Sequence, residues 1–442
     1  MKKQFTILCF SMLATIGYAQ DKNFNLSKYK FPDYKRHELE FNFNSVGSSS
    51  NHTFTYPIDD INTTQKYKSS KFQSNFDTEY KYSNFTRKRI DQLNISFFGS
   101  YNYYKTENYN SKSKEISPDL NLEIEASRKN YLKEDKLFIG EVLTFSSSYS
   151  RDKYTENTTL SDSKSYNTKL GVGISIGSGR IEHVSDLWQG YYILTKLKEQ
   201  NSLDRELKEQ DIFEFSKFIS QLHNKRFFDY RQRKITEFQA LDSMLYSQKL
   251  IDRTDMRYFT TLNDYWSYPS YFDRKSGKEI VFQLLPNTDI YRDEYTGGSV
   301  YTPRKTSLKS DISFEHNKQI NLFWERRFFI GAECQTLIEK NSYINSNYPT
   351  NLFSSFISIS YGFYPNTRTN ITGSLSYHGY EFETSLNKAW DNYPSANLGF
   401  TYFISPQLQF TGSFFSNYST SKHYSHHGYD FSYNLGLRYA IF

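Results

Sequence analysis

Polarity alternates with period two along most of this chain, and that period places every second side chain on the same face of an extended strand. In 166–176, Leu170, Val172, Ile174 and Ile176 alternate with Gly171, Gly173 and Ser175. In 352–363, Ile357, Ile359, Tyr361 and Phe363 alternate with Ser358, Ser360 and Gly362. Stretches 370–377, 396–402 and 431–439 repeat the pattern, the last with Phe431, Tyr433, Leu435, Leu437 and Tyr439 on one face and Ser432, Asn434, Gly436 and Arg438 on the other. Composition narrows the reading. Hydrophobic residues make up 37% of the chain and aromatic residues 18%, with 39 Tyr and 38 Phe, whereas soluble domains average about 45–50% apolar. Disordered chains are poor in aromatics. A membrane helix needs about 20 consecutive apolar residues, and none follows the leader. A wall of strands with apolar-out, polar-in alternation over about 9–11 residues fits both observations.

The leader is Met1-Lys2-Lys3, an apolar run over 5–16, and Gly17-Tyr18-Ala19 before Gln20. A basic start, a short apolar stretch and small residues before the cut predict a secretory signal peptide over 1–19. Cys9 leaves with it, so the mature chain keeps Cys334 alone, which excludes an intramolecular disulfide and a cysteine-based zinc site. The formal charge of +6 falls by two with Lys2 and Lys3, and an exported chain this weakly basic is not read as a nucleic-acid binder.

Connections alternate short and long. Short turns are expected near 404–407, 364–368, 316–319, 132–135 and 86–91. Long polar loops are expected at 419–428, 379–392, 339–349, 151–162, 106–115 and 48–69. Outer-membrane barrels join strands by short periplasmic turns and long external loops. The pattern therefore predicts about 14 strands, with 12 as the alternative, and both termini in the periplasm. The chain closes on Tyr439-Ala440-Ile441-Phe442, and here it resembles the outer-membrane β-barrel proteins of Gram-negative bacteria, whose last strand ends in Phe after alternating apolar positions. The alternation set by Tyr439 would put the aromatic at 441, a departure from that pattern. The Tyr-Ala cut before Gln and the Tyr/Lys/Asn-rich style look like barrels of the Bacteroidota. The resemblance implies an all-β transmembrane antiparallel barrel, contacts with outer-membrane lipid, and the barrel-assembly machinery as a partner.

From about 184 to 268 the period changes to that of amphipathic helices. One is expected over 186–200 (Leu187, Tyr191, Leu194, Leu197), one over 209–223 (Ile212, Phe215, Phe218, Ile219, Leu222) and one over 228–248 (Ile235, Phe238, Leu241, Leu245). A short fourth helix carries Met256, Phe259 and Leu262, capped by Thr254 or Asp255. The chain thus divides into a short periplasmic segment 20–35, a first barrel half 36–178, a helical insertion 179–272 and a second half 273–442. The strand count puts the insertion on the periplasmic side, with a plug inside the lumen as the rival placement. Its charges are segregated: Asp204, Glu206, Glu209, Asp211 and Glu214, then Lys225, Arg226, Arg231, Arg233 and Lys234. They pair with each other across solvated helix faces, or the basic run docks a periplasmic protein, peptidoglycan or lipid phosphate.

Three further sets carry chemistry. His378, His423, His426 and His427, with Asp430 close by, sit in neighbouring external loops where imidazoles could hold zinc or copper; no rigid spacing enforces it, and no metal site is assigned. Lumenal parity falls on Asp77, Glu79, Lys81, Glu123, Glu125, Lys309, Asp311 and Arg438, which either stiffen the wall as an ion-pair network or tune a polar permeation path. No Gly-x-Ser-x-Gly elbow, His-Glu-x-x-His helix or phosphate loop is present, so neither a catalytic residue nor a cofactor is expected. A TonB-dependent transporter would need a plug domain before about 22 strands, and 20–35 is too short for one. The function expected is a channel for small hydrophilic solutes, gated or recruited by the insertion. The alternatives are a non-conducting envelope scaffold, in secretion or polysaccharide export for example, and a barrel-embedded hydrolase.

Overall fold

A computed structural model describes residues 28–58, 61–108, 111–133, 136–224, 230–252, 254–266, 268, 273–341, 349–383, 388–405, 408–421 and 426–439. Six strands come first: β1 (Tyr34–Ile58), β2 (Ile61–Phe85), β3 (Arg89–Glu107), β4 (Lys112–Lys133), β5 (Leu137–Glu156) and β6 (Thr159–His183). After the helices follow β7 (Lys275–Tyr295), β8 (Val300–Tyr301), β9 (Arg304–Gln319), β10 (Trp324–Lys340), β11 (Asn351–Asn366), β12 (Thr369–Glu383), β13 (Lys388–Phe403), β14 (Leu408–Ser421) and β15 (His426–Tyr439). Each long strand pairs antiparallel with the next in sequence order, and two-residue β8 only extends the edge of β7. Among the described residues that makes fourteen strands in one meander, the first and last of which are not paired with each other.

Register turns the alternation into a belt. Ile95 faces Ile124, Ile124 faces Phe145 and Phe145 faces Leu170. Further round, Ile176 faces Phe282 and Phe282 faces Ile312. Ile330 faces Phe314 and Ile357, Leu398 faces Phe414, and Phe414 faces Tyr433. These side chains share one face and are exposed or half-exposed, Ile176 at 50% and Tyr433 at 67%. A continuous exposed apolar belt on this scale is a surface made for lipid. The fold is therefore an all-β antiparallel wall of the transmembrane barrel class with an α-helical insertion.

Where they are described, the stretches expected as long polar loops at 48–69, 151–162, 379–392 and 419–428 are mostly strand, which corrects the sequence reading. The stretch 48–69 is the far end of the β1–β2 hairpin, paired down to Ile58 and Ile61. Serine hydroxyls bridge it, Ser50 Oγ to Ser69 Oγ at 2.7 Å. Likewise β5 and β6 pair as far as Glu156 and Thr159, turning through Asn157 at φ 50°. Loss of apolar alternation marks where lipid contact ends; backbone pairing carries on past it because hydroxyl and amide side chains tolerate a strand whose two faces are both wet. The seventh strand, expected at 278–287, likewise extends over Lys275–Tyr295.

One irregularity lies inside the wall. The β6–β7 ladder skips Val172 and Gly173, opposite Pro286, which has no N–H to donate. Gly173 suits the gap, since a Cβ there would lie 2.3 Å from the Leu284 carbonyl oxygen.

The insertion folds as α1 (Ser185–Glu199), α2 (Glu209–His223), α3 (Tyr230–Ser247) and α4 (Met256–Trp266), where the 3.6 period places them. Asp255 caps α4, its Oδ1 accepting from the Tyr258 N–H at 2.8 Å. The helices bury a core of their own: Leu187, Leu194 and Leu197 from α1, Phe215 and Ile219 from α2, Leu241 and Leu245 from α3, with Leu262 from α4. Tyr29 of the N-terminal segment is 3% exposed in the same cluster.

Candidate functional site

The helical domain leaves and rejoins the wall at facing positions, because His183 at the end of β6 pairs with Lys275 at the start of β7. Val184 N–H donates to the Arg274 carbonyl at 2.9 Å, and Arg274 N–H donates to Ser185 Oγ at 2.9 Å. The domain is thereby held at the end of the wall that carries the short turns.

There it is seated on hairpins far apart in sequence. Trp188 and Tyr192 of α1 and Tyr268 after α4 pack on Tyr364 at the end of β11 and Phe403 at the end of β13, with Leu322 and Phe323 of the β9–β10 turn alongside. Tyr192 Oη donates to the Pro365 carbonyl at 3.2 Å. Burial pushes the Tyr192 phenol far above its ordinary pKa, so it stays a donor. Asp264 of α4 pairs with Arg368 of the β11–β12 turn, whose guanidinium lies 5.0 Å from the Tyr268 ring centroid.

At the centre of the seat is Arg274, fully buried. Its guanidinium lies between two rings, 5.4 Å from Trp188 and 4.6 Å from Tyr364. Nη1 donates to the Leu322 carbonyl at 2.7 Å, Nη2 donates to Gln319, and Nε stands 3.6 Å from Glu325 Oε2. Burial pulls this guanidinium's pKa down and the Glu325 charge pushes it back up; an arginine so paired stays charged. Glu325 is itself 1% exposed and also binds Arg327 and Gln319. One cation thus ties the helical domain to β9, β10 and β11 together.

A second anchor reaches the opposite part of the wall. In the β2–β3 turn, Arg87 pairs with Glu182 of β6 and donates to the Phe31 carbonyl at 2.7 Å. Arg180 donates to the Thr86 carbonyl at 3.1 Å and lies 5.0 Å from the Tyr131 ring. Above it, on the wall's polar face, Phe138 is fully buried over Gly177, where a Cβ would lie 2.3 Å from its ring. The turn end is thus filled from within as well as covered from below.

Several of the segregated charges of the insertion have local partners within the described residues. Asp211 pairs with Arg205, Glu206 with Lys198, and Glu209 with Lys28. Arg233 pairs with Glu237 one turn on, and Lys234 lies over Phe238. Among the described residues, no ion pair joins the acidic run to the basic one. Arg231 lies in α3, while Lys225 and Arg226 lie outside the described residues. The Asp211 carboxylate sits below its ordinary pKa of 3.8, chiefly through the Arg205 hydrogen bond, with burial opposing and the Lys208 N–H assisting. A depressed folded-state pKa contributes stability that is fully present above the unfolded value and lost as pH falls through the folded one. Asp211→Asn is therefore expected to lower the stability of the helical domain at pH 7, and the gap to the wild type should narrow as pH falls below about 4. Urea titration followed by tryptophan fluorescence at those pH values measures it.

The charged residues read as lumenal all fall on the face opposite the belt. Asp77 accepts from Asn42 at 2.9 Å, Glu79 and Lys81 pair at 2.6 Å, and Glu123 accepts from Asn121 at 2.9 Å. Glu125 faces Thr144, Lys309 pairs with Glu333 at 2.7 Å, Asp311 faces Glu333, and Arg438 faces Gln409. These pairs line the wall in separate groups, not as one network. His378 bonds Tyr380 Oη through Nδ1 at 3.0 Å. His426 opens β15, His427 faces Thr420, and His423 lies outside the described residues. Among the described residues, no three of His, Cys, Asp and Glu converge on a point.

Sequence reasoning missed the seat. Its signal was a second apolar stripe on α1: Leu187, Tyr191, Leu194 and Leu197 account for one face, and Trp188 and Tyr192, four apart, form another that the helical core does not use. Arg274, between Asp273 and Lys275, reads as solvated linker.

No protein-family model matches the chain, and no curated protein does. Among solved structures it is similar to the translocator domain of the autotransporter NalP from Neisseria meningitidis, at 8% identity over 91% of this chain and 97% of that one, with a TM-score of 0.29. It is similar also to the P. putida toluene transporter TodX, at 8% identity over 92% and 91%, TM-score 0.30. A third likeness is to a loop-deletion mutant of OmpT, an outer membrane protein of Vibrio cholerae, at 7% identity over 91% and 99%, TM-score 0.26. The fold assignment rests on this chain's own strand register and its apolar belt.

Proposed function

We propose that this protein is an integral outer-membrane β-barrel that conducts small hydrophilic solutes, with the helical domain as a cover on its periplasmic mouth. The observation that carries the reading is the seat. The helical domain rests on the β9–β10 and β11–β12 turns and on the end of β13, while Phe31 of the N-terminal segment, which packs on the helical core, accepts from Arg87 of the β2–β3 turn, so domain and segment together cover turns far apart on a wall whose polar face carries charges of both signs. Short turns lie on the periplasmic side of such proteins, which supports a periplasmic position for the cover and the N-terminal segment. Solute passage then requires the cover to tilt or lift. The proposal includes no catalytic step.

A second reading has one observation in its favour. The Arg274–Glu325 pair is buried so completely that the cover would stay shut, and the protein would serve as an envelope scaffold docking a periplasmic protein or peptidoglycan. Single-channel recordings of the purified full-length protein separate the two. The channel reading expects brief openings in the wild type, and a several-fold longer open time in Arg368→Glu, which sets two carboxylates against each other at the Asp264 contact. Silence in both proteins would overturn it in favour of the scaffold.

A further inference from the structure

The polar face of β10–β13 carries a row of aromatic rings that the belt and the seat leave unexplained. Phe329 and Phe356 lie with centroids 5.5 Å apart, Phe356 and His378 5.5 Å, His378 and Tyr380 4.1 Å, and Tyr380 and Tyr393 5.7 Å. Register fixes their face: Phe329 faces Ser358 and His378 faces Tyr393, whereas the neighbouring Ile330 and Tyr377 belong to the lipid side. The row runs obliquely from the far end of the β12–β13 hairpin towards the turn end of β10. There Arg327, two residues from Phe329 on the same face, pairs with Glu325 and so reaches the Arg274 seat. Rings in a lumen have no lipid to meet, and a bare aromatic row facing water costs apolar hydration for no packing gain.

Polar groups of one kind flank the row. Asp391 faces Tyr380 across the ladder, is 9% exposed, and its Oδ1 has no hydrogen-bond partner among the described residues. Ser376 and Ser395 hydroxyls meet at 2.6 Å, and Asp311 lies opposite Glu333, which Lys309 holds at 2.7 Å. A buried carboxylate oxygen without a donor is expensive unless a ligand supplies one.

Resting on the channel reading, we propose that this row is a binding track for neutral oligosaccharides. A saturated sugar ring has an apolar C–H face that stacks on aromatics and a rim of hydroxyls that donate to carboxylates and exchange hydrogen bonds with serines. Successive rings spaced about one sugar apart allow it to move from one to the next. A hydrocarbon would leave Asp391 unsatisfied. An acidic sugar would meet the carboxylates of Asp391, Asp311 and Glu333, with Lys309 held by Glu333 and Arg327 by Glu325. An organic cation calls for ring faces converging on a point, and here Phe356 meets His378 at 87° and Tyr380 meets Tyr393 at 78°, a strip rather than a cage.

Calorimetric titration of the full-length protein in detergent with maltoheptaose tests it independently of conductance. Saturable binding is expected, weakened about three- to tenfold in Tyr380→Leu, which keeps bulk and loses the ring. Tyr393→Phe, which keeps it, should weaken binding less. Failure of maltoheptaose to bind, affinity unchanged in Tyr380→Leu, or tetraethylammonium taking the site instead would each overturn the track. A protein that conducts but binds no sugar sinks the track alone; one that binds sugar but never conducts sinks the channel alone.

Discussion

Arg274→Ala is expected to release the helical domain from the strand turns while the wall stays folded. Breaking a buried ion pair by deleting one partner costs about 3–5 kcal/mol, because the other charge is left without compensation. Here the stranded group is Glu325, at 1% exposure, with Arg327 as its remaining cation. The stacking on Trp188 and Tyr364 and the bonds to Gln319 and the Leu322 carbonyl go as well. What remains of the seat is the aromatic packing of Trp188, Tyr192 and Tyr268 on Tyr364 and Phe403, the Tyr192–Pro365 hydrogen bond and the half-exposed Asp264–Arg368 pair, and pairs that exposed contribute little. The domain should then become sensitive to protease within 184–274, and the open time in bilayers should rise well beyond that of Arg368→Glu. Arg274→Lys should rescue little, since an ammonium lacks the planar fork that reaches Gln319, Leu322 and Glu325 together. Arg274→Ala,Glu325→Gln should recover part of the loss by removing the stranded charge. Wild-type protease resistance in Arg274→Ala would show that the seat holds without its cation.

Phe215→Ala is expected to unfold the helical domain without touching the strands. Phe215 is fully buried in one core with Leu187, Leu194 and Leu241, to which, among the described residues, the leading segment adds Tyr29 and Phe31 and the strands add none. Truncating a buried Phe costs about 3–5 kcal/mol, a large share of what a helical domain of this size can hold. The four tryptophans report the two parts separately: Trp188 and Trp266 lie in the insertion, Trp324 and Trp390 in the wall. Denaturation of the wild type should therefore show an early insertion transition and a late wall transition. Phe215→Ala should shift the first to lower urea and leave the second in place. A single cooperative transition moving as a whole would mean the two parts fold as one unit.

How much of this was readable in the residues follows from what each strand face has to satisfy. Ile174, Ile176 and Leu435 announce the lipid face because lipid accepts only apolar side chains. The helices of the insertion announce themselves through a stripe four residues apart. The hairpin ends around Ser50 and Ser69 do not, since a strand wet on both faces needs no alternation. The inner face is hidden for a related reason. Phe329, Phe356 and Tyr393 break the polar parity of strands already explained by their outer residues, and a phase defect in an otherwise regular pattern looks like noise until register lines the defects up. Arg274 is hidden most deeply, because its partners Glu325 and Tyr364 come from strands about 50 and 90 positions away and no local pattern joins them.

The zipped base at His183 and Lys275 bears on how this wall is built. Two neighbouring strands separated by so long an intervening stretch would ordinarily find each other slowly, since the entropy of closing a loop must be met before the ladder returns anything. A helical domain that collapses first, on its own short-range contacts, holds its two ends side by side at Val184 and Arg274. For the meander, the segment then behaves as a tight turn. If the domain collapses before the strands pair, the loop that β6 and β7 must close is a short one.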